Sequence, residues 1–246
     1  MMIDWIWDGE MDYGWEDLSD FLIRTCHKYT RIMLKAADIS SNTESKGLIQ
    51  NKSMERFEKI ASIVSDIIKD GLYYAYEDFD GEAQNALKLN GWILLGSLTE
   101  TTLQMFLAIY IEDYKNTKWQ MWEKFEAEKV QRPILESIQK LVDENSINSN
   151  QAKSLKKSIK ETIKEHTKEH KIEKIMLDEL IQLYSYLNLL NEDEISYLKT
   201  IQSNRNGIHS FQDRKTGSWN NLQYCVRFFC YLLEWVIYTI PDVSGY

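Results

Sequence analysis

The sequence predicts an all-α protein: a multi-helix bundle with an inserted, charged helical region. Only two prolines and ten glycines occur in 246 residues, so long helical segments are uninterrupted. Apolar residues recur with the 3.6-residue period of amphipathic helices, and no run alternates strictly between apolar and polar as a half-buried strand does. Hydrophobic residues make up 43% of the chain, which is ample for a packed core. We therefore expect a single all-α domain over residues 1–246.

Residues 1–52 are expected to contain an N-terminal arm and the first helix. The arm, 1–23, carries seven acidic residues, no Lys or Arg, and the tryptophans Trp5, Trp7 and Trp15. Such a segment either packs on its own core through the aromatic rings or docks on a partner. An apolar stripe predicts a helix over 18–37, and the polar composition of 38–52 predicts a loop.

Residues 53–117 are expected to form the core helices. An amphipathic pattern predicts one helix over 54–72, and the most apolar segment of the chain predicts a central helix over 85–114. Within 89–111 the only charged residue is Glu100. That length would suit a membrane span, but its polar cluster would lie at the centre of the bilayer, so we predict a helix buried in protein instead.

Glu100 needs a partner in such a core. An isolated buried carboxylate is costly unless it is paired or protonated. We predict that Arg205 is this partner. Glu100 would then either support an active site through its partner, or be a core salt bridge or a hydrogen bond to a loop without catalytic meaning.

Residues 118–175 are expected to be a charged helical insertion. Helix is predicted over 118–143, with Pro133 at a helix start. Residues 151–174 hold eight lysines and four glutamates. This run is either a solvated helix face with Lys–Glu pairs, or an electrostatic surface for an RNA backbone or an acidic partner. His166 and His170 are spaced to share a zinc ion, but no third ligand is evident, so no metal is predicted.

Residues 176–246 are expected to form a helical hairpin and a final helix. Helix is predicted over 176–189, followed by a turn and a second helix that begins at Asn191, which with Glu194 three residues later comes close to a capping box. Ser218 is predicted to cap a last helix that reaches Ile240 and is ended by Pro241.

Arg205 and His209 follow the inward stripe of the second hairpin helix. At 100° per residue they lie close to Ile195 and Leu198, and side chains four residues apart on a helix are near enough to address one phosphate. Gly207 lies between them, and glycine inside a helix costs about 1 kcal/mol relative to Ala and often marks a C-terminal cap. If the helix stops at residue 206, the two side chains need not share a face.

The run RNGIH, residues 205–209, resembles the Arg–polar–His signature of the HEPN superfamily of all-helical proteins. The resemblance covers mainly the last third of the chain. It implies a metal-independent endoribonuclease of a prokaryotic defence or toxin-type system that needs no cofactor. It also implies a homodimer, because HEPN active sites usually form where two such motifs face each other.

The resemblance also implies a set of site residues. They are Arg205, His209, Asn206 and Glu100 for catalysis, and Arg214 and Lys215 beside the substrate. His209 would act as general acid or base, which its reference pKa of about 6.5 suits, and Arg205 would hold the phosphate through its planar donors. Asn206 would position the backbone or the substrate, and Glu100 would orient Arg205.

Charge and cysteine content limit the function classes. A net charge of −9 opposes nucleic-acid binding by the whole surface, so any RNA site must be local. Three cysteines, an odd number in predicted helices, indicate buried reduced thiols in a cytoplasmic protein. The start of the chain shows no secretory signal.

A second class of function stays open: a catalytically silent HEPN-like module that serves in binding or assembly, with a protein partner such as an antitoxin. The Arg-to-His spacing, one residue shorter than the usual HEPN pattern, favours this class. The overall acidity and the acidic, Trp-containing N-terminus favour it too.

Overall fold

The computed structural model describes residues 15–76, 81–166, 170–208, 217–241 and 243. Every regular element within these ranges is a helix, which confirms the all-α class. Short 3₁₀ helices lie at Lys118–Met121, Ile172–Lys174 and Asn206–Ile208. The α-helices are α1 Trp15–Ile39, α2 Thr43–Leu48, α3 Asn51–Tyr76, α4 Gly81–Ile109, α5 Ile111–Lys115, α6 Trp122–Asp143, α7 Ser149–His166, α8 Leu177–Tyr186, α9 Glu192–Arg205 and α10 Trp219–Thr239.

The chain divides into two compact units. The first consists of Met1–Ile109 and Met176–Tyr246 and contains α1–α4 and α8–α10. The second is Tyr110–Ile175 and contains α5–α7. Residues 118–175, expected from the sequence to be an insertion, lie within this second unit.

Helix α4 is the centre of the first unit. It packs against α1, α2, α3, α8, α9 and α10. Its apolar residues surround the whole helix rather than forming one stripe, and Trp92, Leu95 and Leu103 are fully buried. Within the described ranges it is the one helix long and apolar enough to cross a membrane, and 61% of its most apolar window is buried inside the protein.

Helices α1, α3 and α10 are amphipathic and pack around α4 with one face each. Tyr29 of α1 and Phe57 of α3 have ring centroids 5.3 Å apart, and Phe57 lies 6.3 Å from Phe229 of α10. All three side chains are buried. Burying a large apolar side chain stabilises a fold by about 1.5–3 kcal/mol, so this cluster fixes the outer helices on the core.

Two local predictions are wrong. Residues 38–52 are not all loop: α2 forms there because the side chain of Asn42 accepts hydrogen bonds from the backbone N–H groups of Glu44 and Ser45, at 2.8 and 3.2 Å. Pro133 does not start a helix but lies inside α6. It is exposed, so the proline ring, which cannot donate to the carbonyl four residues earlier, is accommodated on the solvent side.

The second unit is built on the pair α6 and α7, which pack against each other. Ile138 of α6 and Ala152 of α7 are buried in this unit. The turn between the helices includes Asn145, whose φ of 55° lies in the left-handed region that Asn tolerates. Tyr114 of α5 donates to the carbonyl of His170 at 2.9 Å.

Candidate functional site

Two reciprocal hydrogen bonds between Asn191 and Glu194 fix the start of α9 and confirm the predicted helix start. The side chain of Asn191 accepts from the N–H of Glu194 at 2.9 Å, and Glu194 Oε2 accepts from the N–H of Asn191 at 2.6 Å. The other oxygen of Glu194, Oε1, accepts from the hydroxyl of Tyr231 in α10 at 2.6 Å. Burial and then this hydrogen bond raise the pKa of Tyr231, so it stays a donor. Helix α9 is thereby anchored to α10.

The predicted pair of Arg205 and Glu100 is present. Arg205 Nη1 donates to Glu100 Oε2 at 2.6 Å, linking the last residue of α9 to the middle of α4. The two side chains are 26% and 22% exposed, so the ion pair lies at the edge of the core rather than inside it. A charge-assisted hydrogen bond of this length is at the strong end of its class.

Glu100 has a second contact, with the backbone at the start of α8. The same Oε2 atom accepts from the backbone N–H of Leu177 at 3.0 Å, at the first residue of α8. The N-terminal N–H groups of a helix lack partners within the helix, so a carboxylate placed there is stabilised. Glu100 therefore connects α4, α8 and α9 at one point.

Gly96 makes room for the stem of Arg205. A Cβ atom at position 96 would lie 2.6 Å from Cδ and 3.1 Å from Cγ of Arg205, closer than real side chains approach. Gly96 is one helical turn before Glu100, so the glycine lets the aliphatic part of Arg205 lie directly on α4 while its guanidinium reaches the carboxylate.

Helix α9 ends at Arg205, which decides between the two alternatives that Gly207 left open: an α-helix that continues to residue 209, or one that stops before it. Asn206 is the C-cap, and residues 206–208 form a 3₁₀ turn. A 3₁₀ turn advances 120° per residue instead of 100°, so the α-helical register needed to stack His209 on Arg205 is not maintained across this turn. Glycine at 207 is the physical reason, since it weakens the helix where it would have continued.

The residues after this turn fall partly outside the described ranges. His209, Arg214 and Lys215 lie outside the described ranges, and so do Trp5 and Trp7 of the N-terminal arm. Of the predicted site residues, the structure therefore brings together Arg205 and Glu100 and places Asn206, which is exposed, beside them at the end of α9.

Asn204 lies just before residues 205–216 and is hydrogen-bonded to Gly217, just after them. Its Oδ1 accepts from the N–H of Gly217 at 2.6 Å, and its Nδ2 donates to the carbonyl of Thr200 at 2.9 Å. A Cβ atom at Gly217 would lie 3.0 Å from this Oδ1 and 3.1 Å from the ring of Trp92. Asn204 and Gly217, which flank residues 205–216, are thus in direct contact.

Arg205 keeps donors for a ligand. A guanidinium has five N–H donors, and the ion pair with Glu100 uses Nη1. The remaining nitrogens have no acceptor among the described residues, and the side chain is partly exposed. Chemically, this arrangement is a positioned cation that can bind an oxyanion such as a phosphate.

Comparison of the chain with models of known protein families, with curated proteins and with solved structures gives no significant match. The described residues include no group of three or more His, Cys, Asp or Glu side chains placed to hold a metal ion.

The three cysteines are buried free thiols, as predicted. Burial raises the pKa of the Cys225 thiol to about 12 and raises the pKa of Cys26 and Cys230 as well. Because the thiolate is the reactive form, these side chains serve packing and not nucleophilic chemistry.

Another polar cluster lies between α1 and α3, beside a cavity of about 160 Å³. Glu58 Oε1 lies 2.9 Å from Nδ1 of His27 and accepts from the hydroxyl of Thr30 at 2.5 Å. Burial opposes ionisation of Glu58, but the hydrogen bonds from Thr30 and His27 outweigh it and lower the pKa of this carboxyl.

Glu58→Gln is expected to lower the Tm at pH 7, and to lower it less at pH 3. A carboxyl whose folded pKa is lowered stabilises the protein above its usual pKa of about 4.3 and loses that contribution as the pH falls through the folded value. Thermal unfolding of both proteins across this range measures the difference. Glu55→Gln, at an exposed position on the same helix, is the control and should leave the Tm unchanged at every pH. An equal loss at pH 3 would contradict the role of ionisation.

Proposed function

We propose that this protein is a metal-independent endoribonuclease, of the kind found in prokaryotic defence and toxin systems, whose site is formed by two chains. One observation carries the proposal: the Arg205 guanidinium is held by Glu100 at 2.6 Å, is partly exposed, and immediately precedes the residues that lead to His209. The likeness of residues 205–209 to the HEPN signature supports the same reading.

The reaction requires three groups at the scissile phosphate. A base removes the proton of the 2′-hydroxyl, whose oxygen attacks phosphorus, and an acid protonates the departing 5′-oxygen, leaving a 2′,3′-cyclic phosphate. His209 is suited to proton transfer near neutral pH, and Arg205 is suited to the extra negative charge on the phosphate. One histidine rarely performs both transfers, so a second chain supplies the other His209. Asn206 and the cations Arg214 and Lys215 complete the site in this proposal.

The purified protein should therefore cleave a mixed RNA substrate in the presence of EDTA, and His209→Ala should abolish the cleavage. General acid–base catalysis contributes about 10²- to 10⁴-fold, so a loss of this size is expected. The control is His27→Ala, which removes a surface histidine with 59% exposure in the same unit and should leave cleavage unchanged. Products ending in a 2′,3′-cyclic phosphate would identify the chemistry. The proposal would be contradicted if the parent protein did not cleave RNA, or if His209→Ala cleaved RNA equally well.

A second candidate function is a catalytically silent helical binding or assembly module. The end of α9 at Arg205 favours it, because the α-helical register that would stack Arg205 and His209 is not kept. The contact of Glu100 with Leu177 favours it too, since the ion pair then has a structural use. Sedimentation separates the two candidates: the ribonuclease requires a dimer that carries all cleavage activity, whereas an inactive dimer or a stable monomer supports the module.

A further inference from the structure

The lysines of α7 form a regular row along one face of the helix. Lys153, Lys157, Lys160 and Lys164 are spaced by four, three and four residues, so they lie within about 60° of one another on a helix of 3.6 residues per turn. The row is about 16 Å long at 1.5 Å per residue, with neighbours about 5–6 Å apart. All four side chains are exposed.

The row is largely free of acidic partners. Lys157 lies 3.6 Å from Glu161, a pair with both side chains more than half exposed, and exposed pairs of this kind are weak. Lys153, Lys160 and Lys164 have no ion pair among the residues that the structure describes. This face of α7 is therefore not a solvated helix surface with balanced Lys–Glu pairs.

The row is also separate from the face that packs on α6. Ala152 is buried and Ile159 and Ile163 are partly buried, and these positions lie about 90–130° around the helix from the centre of the lysine row. Leu155, the exposed apolar residue of α7, lies on nearly the opposite side. The lysine face consequently has no apolar side chain within it.

We infer that this row, Lys153, Lys157, Lys160 and Lys164, binds the phosphate backbone of a single nucleic-acid strand. Phosphates are contacted by lysine and arginine, whereas protein interfaces are depleted in lysine and depend on apolar or aromatic anchors that this face lacks. A straight row of cations follows the phosphate backbone of one strand, and the acidity of the whole chain confines binding to such a local surface. The inference does not depend on RNA cleavage, because backbone binding requires no 2′-hydroxyl.

The experiment compares two quadruple variants of the full-length protein by fluorescence anisotropy with labelled oligo-U and oligo-dT. One replaces the four lysines of the row by Gln. The matched control replaces four exposed lysines of the first unit, which are Lys35, Lys46, Lys52 and Lys59. Both variants remove the same charge, and Gln has nearly the helix propensity of Lys, so both should fold, as circular dichroism will check.

The row variant is expected to bind both oligonucleotides at least about ten-fold more weakly at low salt, while the control changes less than about two-fold. The slope of log K against log salt should fall by about 0.7 for each lysine that contacts a phosphate of a single strand. Binding of oligo-dT, which lacks the 2′-hydroxyl, separates this result from the fate of the ribonuclease proposal.

Three outcomes would overturn the inference. The first is that the parent protein binds neither oligonucleotide. The second is that the row variant and the control lose affinity equally. The third is that the row variant keeps its oligonucleotide affinity but loses binding to a poly-Glu peptide. The last result would assign the row to an acidic protein partner instead.

Discussion

On the proposed function, Arg205→Ala is expected to lower the rate of RNA cleavage by about 10²- to 10³-fold, the usual effect of removing one positioned donor to a developing oxyanion. The free energy of unfolding is expected to fall by about 1–3 kcal/mol, because one hydrogen bond between charged groups is removed and both side chains are partly exposed. Cleavage is measured at a temperature where chemical denaturation shows both proteins to be folded, so that the two effects are separated.

Glu100→Ala is the informative companion to this variant. It breaks the same 2.6 Å ion pair and also removes the acceptor of the Leu177 N–H, yet it leaves the guanidinium in the protein. Cleavage should therefore fall less than in Arg205→Ala, while stability should fall at least as much. If the two variants lose cleavage equally, Arg205 acts only through the structure and does not bind the phosphate.

Arg205→Lys tests the geometry of the same contact. Lysine keeps the charge but is a point donor without the planar fork, so it cannot hold Glu100 and a phosphate oxygen at once. We expect Arg205→Lys to lose most of the cleavage rate that Arg205→Ala loses, but to lose less stability than Arg205→Ala does. Full activity of the lysine variant would show that charge alone is sufficient there.

The helices were predictable because their signals are local. The capping box of Asn191 and Glu194 and the Ser218 cap of α10 are read from residues three apart, and both are present. The Glu100–Arg205 pair was predictable for a different reason: a lone carboxylate in an apolar helix needs a cation, and Arg205 was on an inward stripe. Burial cost thus identified a contact between residues 105 positions apart.

The contacts around this pair were not predictable. Asn204 and Gly217 meet only because α9 and α10 pack on α4, and no local pattern marks them. Gly96 looked like any glycine in an apolar helix, although its missing Cβ is what admits Arg205. A glycine one turn before Glu100, the only charged residue within 89–111, is the signal that was available.

The end of α9 was left open by the sequence. The inward stripe continues to residue 209, whereas Gly207 favours a stop, and periodicity alone does not weigh one against the other. The structure ends the α-helix at Arg205. Helix ends are decided by small differences in free energy between caps and further turns, of about 1 kcal/mol, so they are the least predictable part of a helical fold.

Trp92→Ala is expected to lower the free energy of unfolding by about 3–5 kcal/mol, the usual cost of truncating a buried large aromatic side chain. Trp92 is fully buried in α4, and its ring lies against the position of Gly217, where Asn204 also binds. The cavity left by alanine would therefore remove packing from the core and from the anchor of residues 205–216. Urea denaturation followed by circular dichroism measures the change.

Trp92→Phe is the matched variant, and it should cost only about 1 kcal/mol or less. The indole N–H of Trp92 is buried and has no acceptor among the described residues. An unsatisfied buried donor costs about 1–3 kcal/mol, so its removal offsets most of the packing lost with the smaller ring. If phenylalanine destabilises the protein as much as alanine does, the N–H has an acceptor after all.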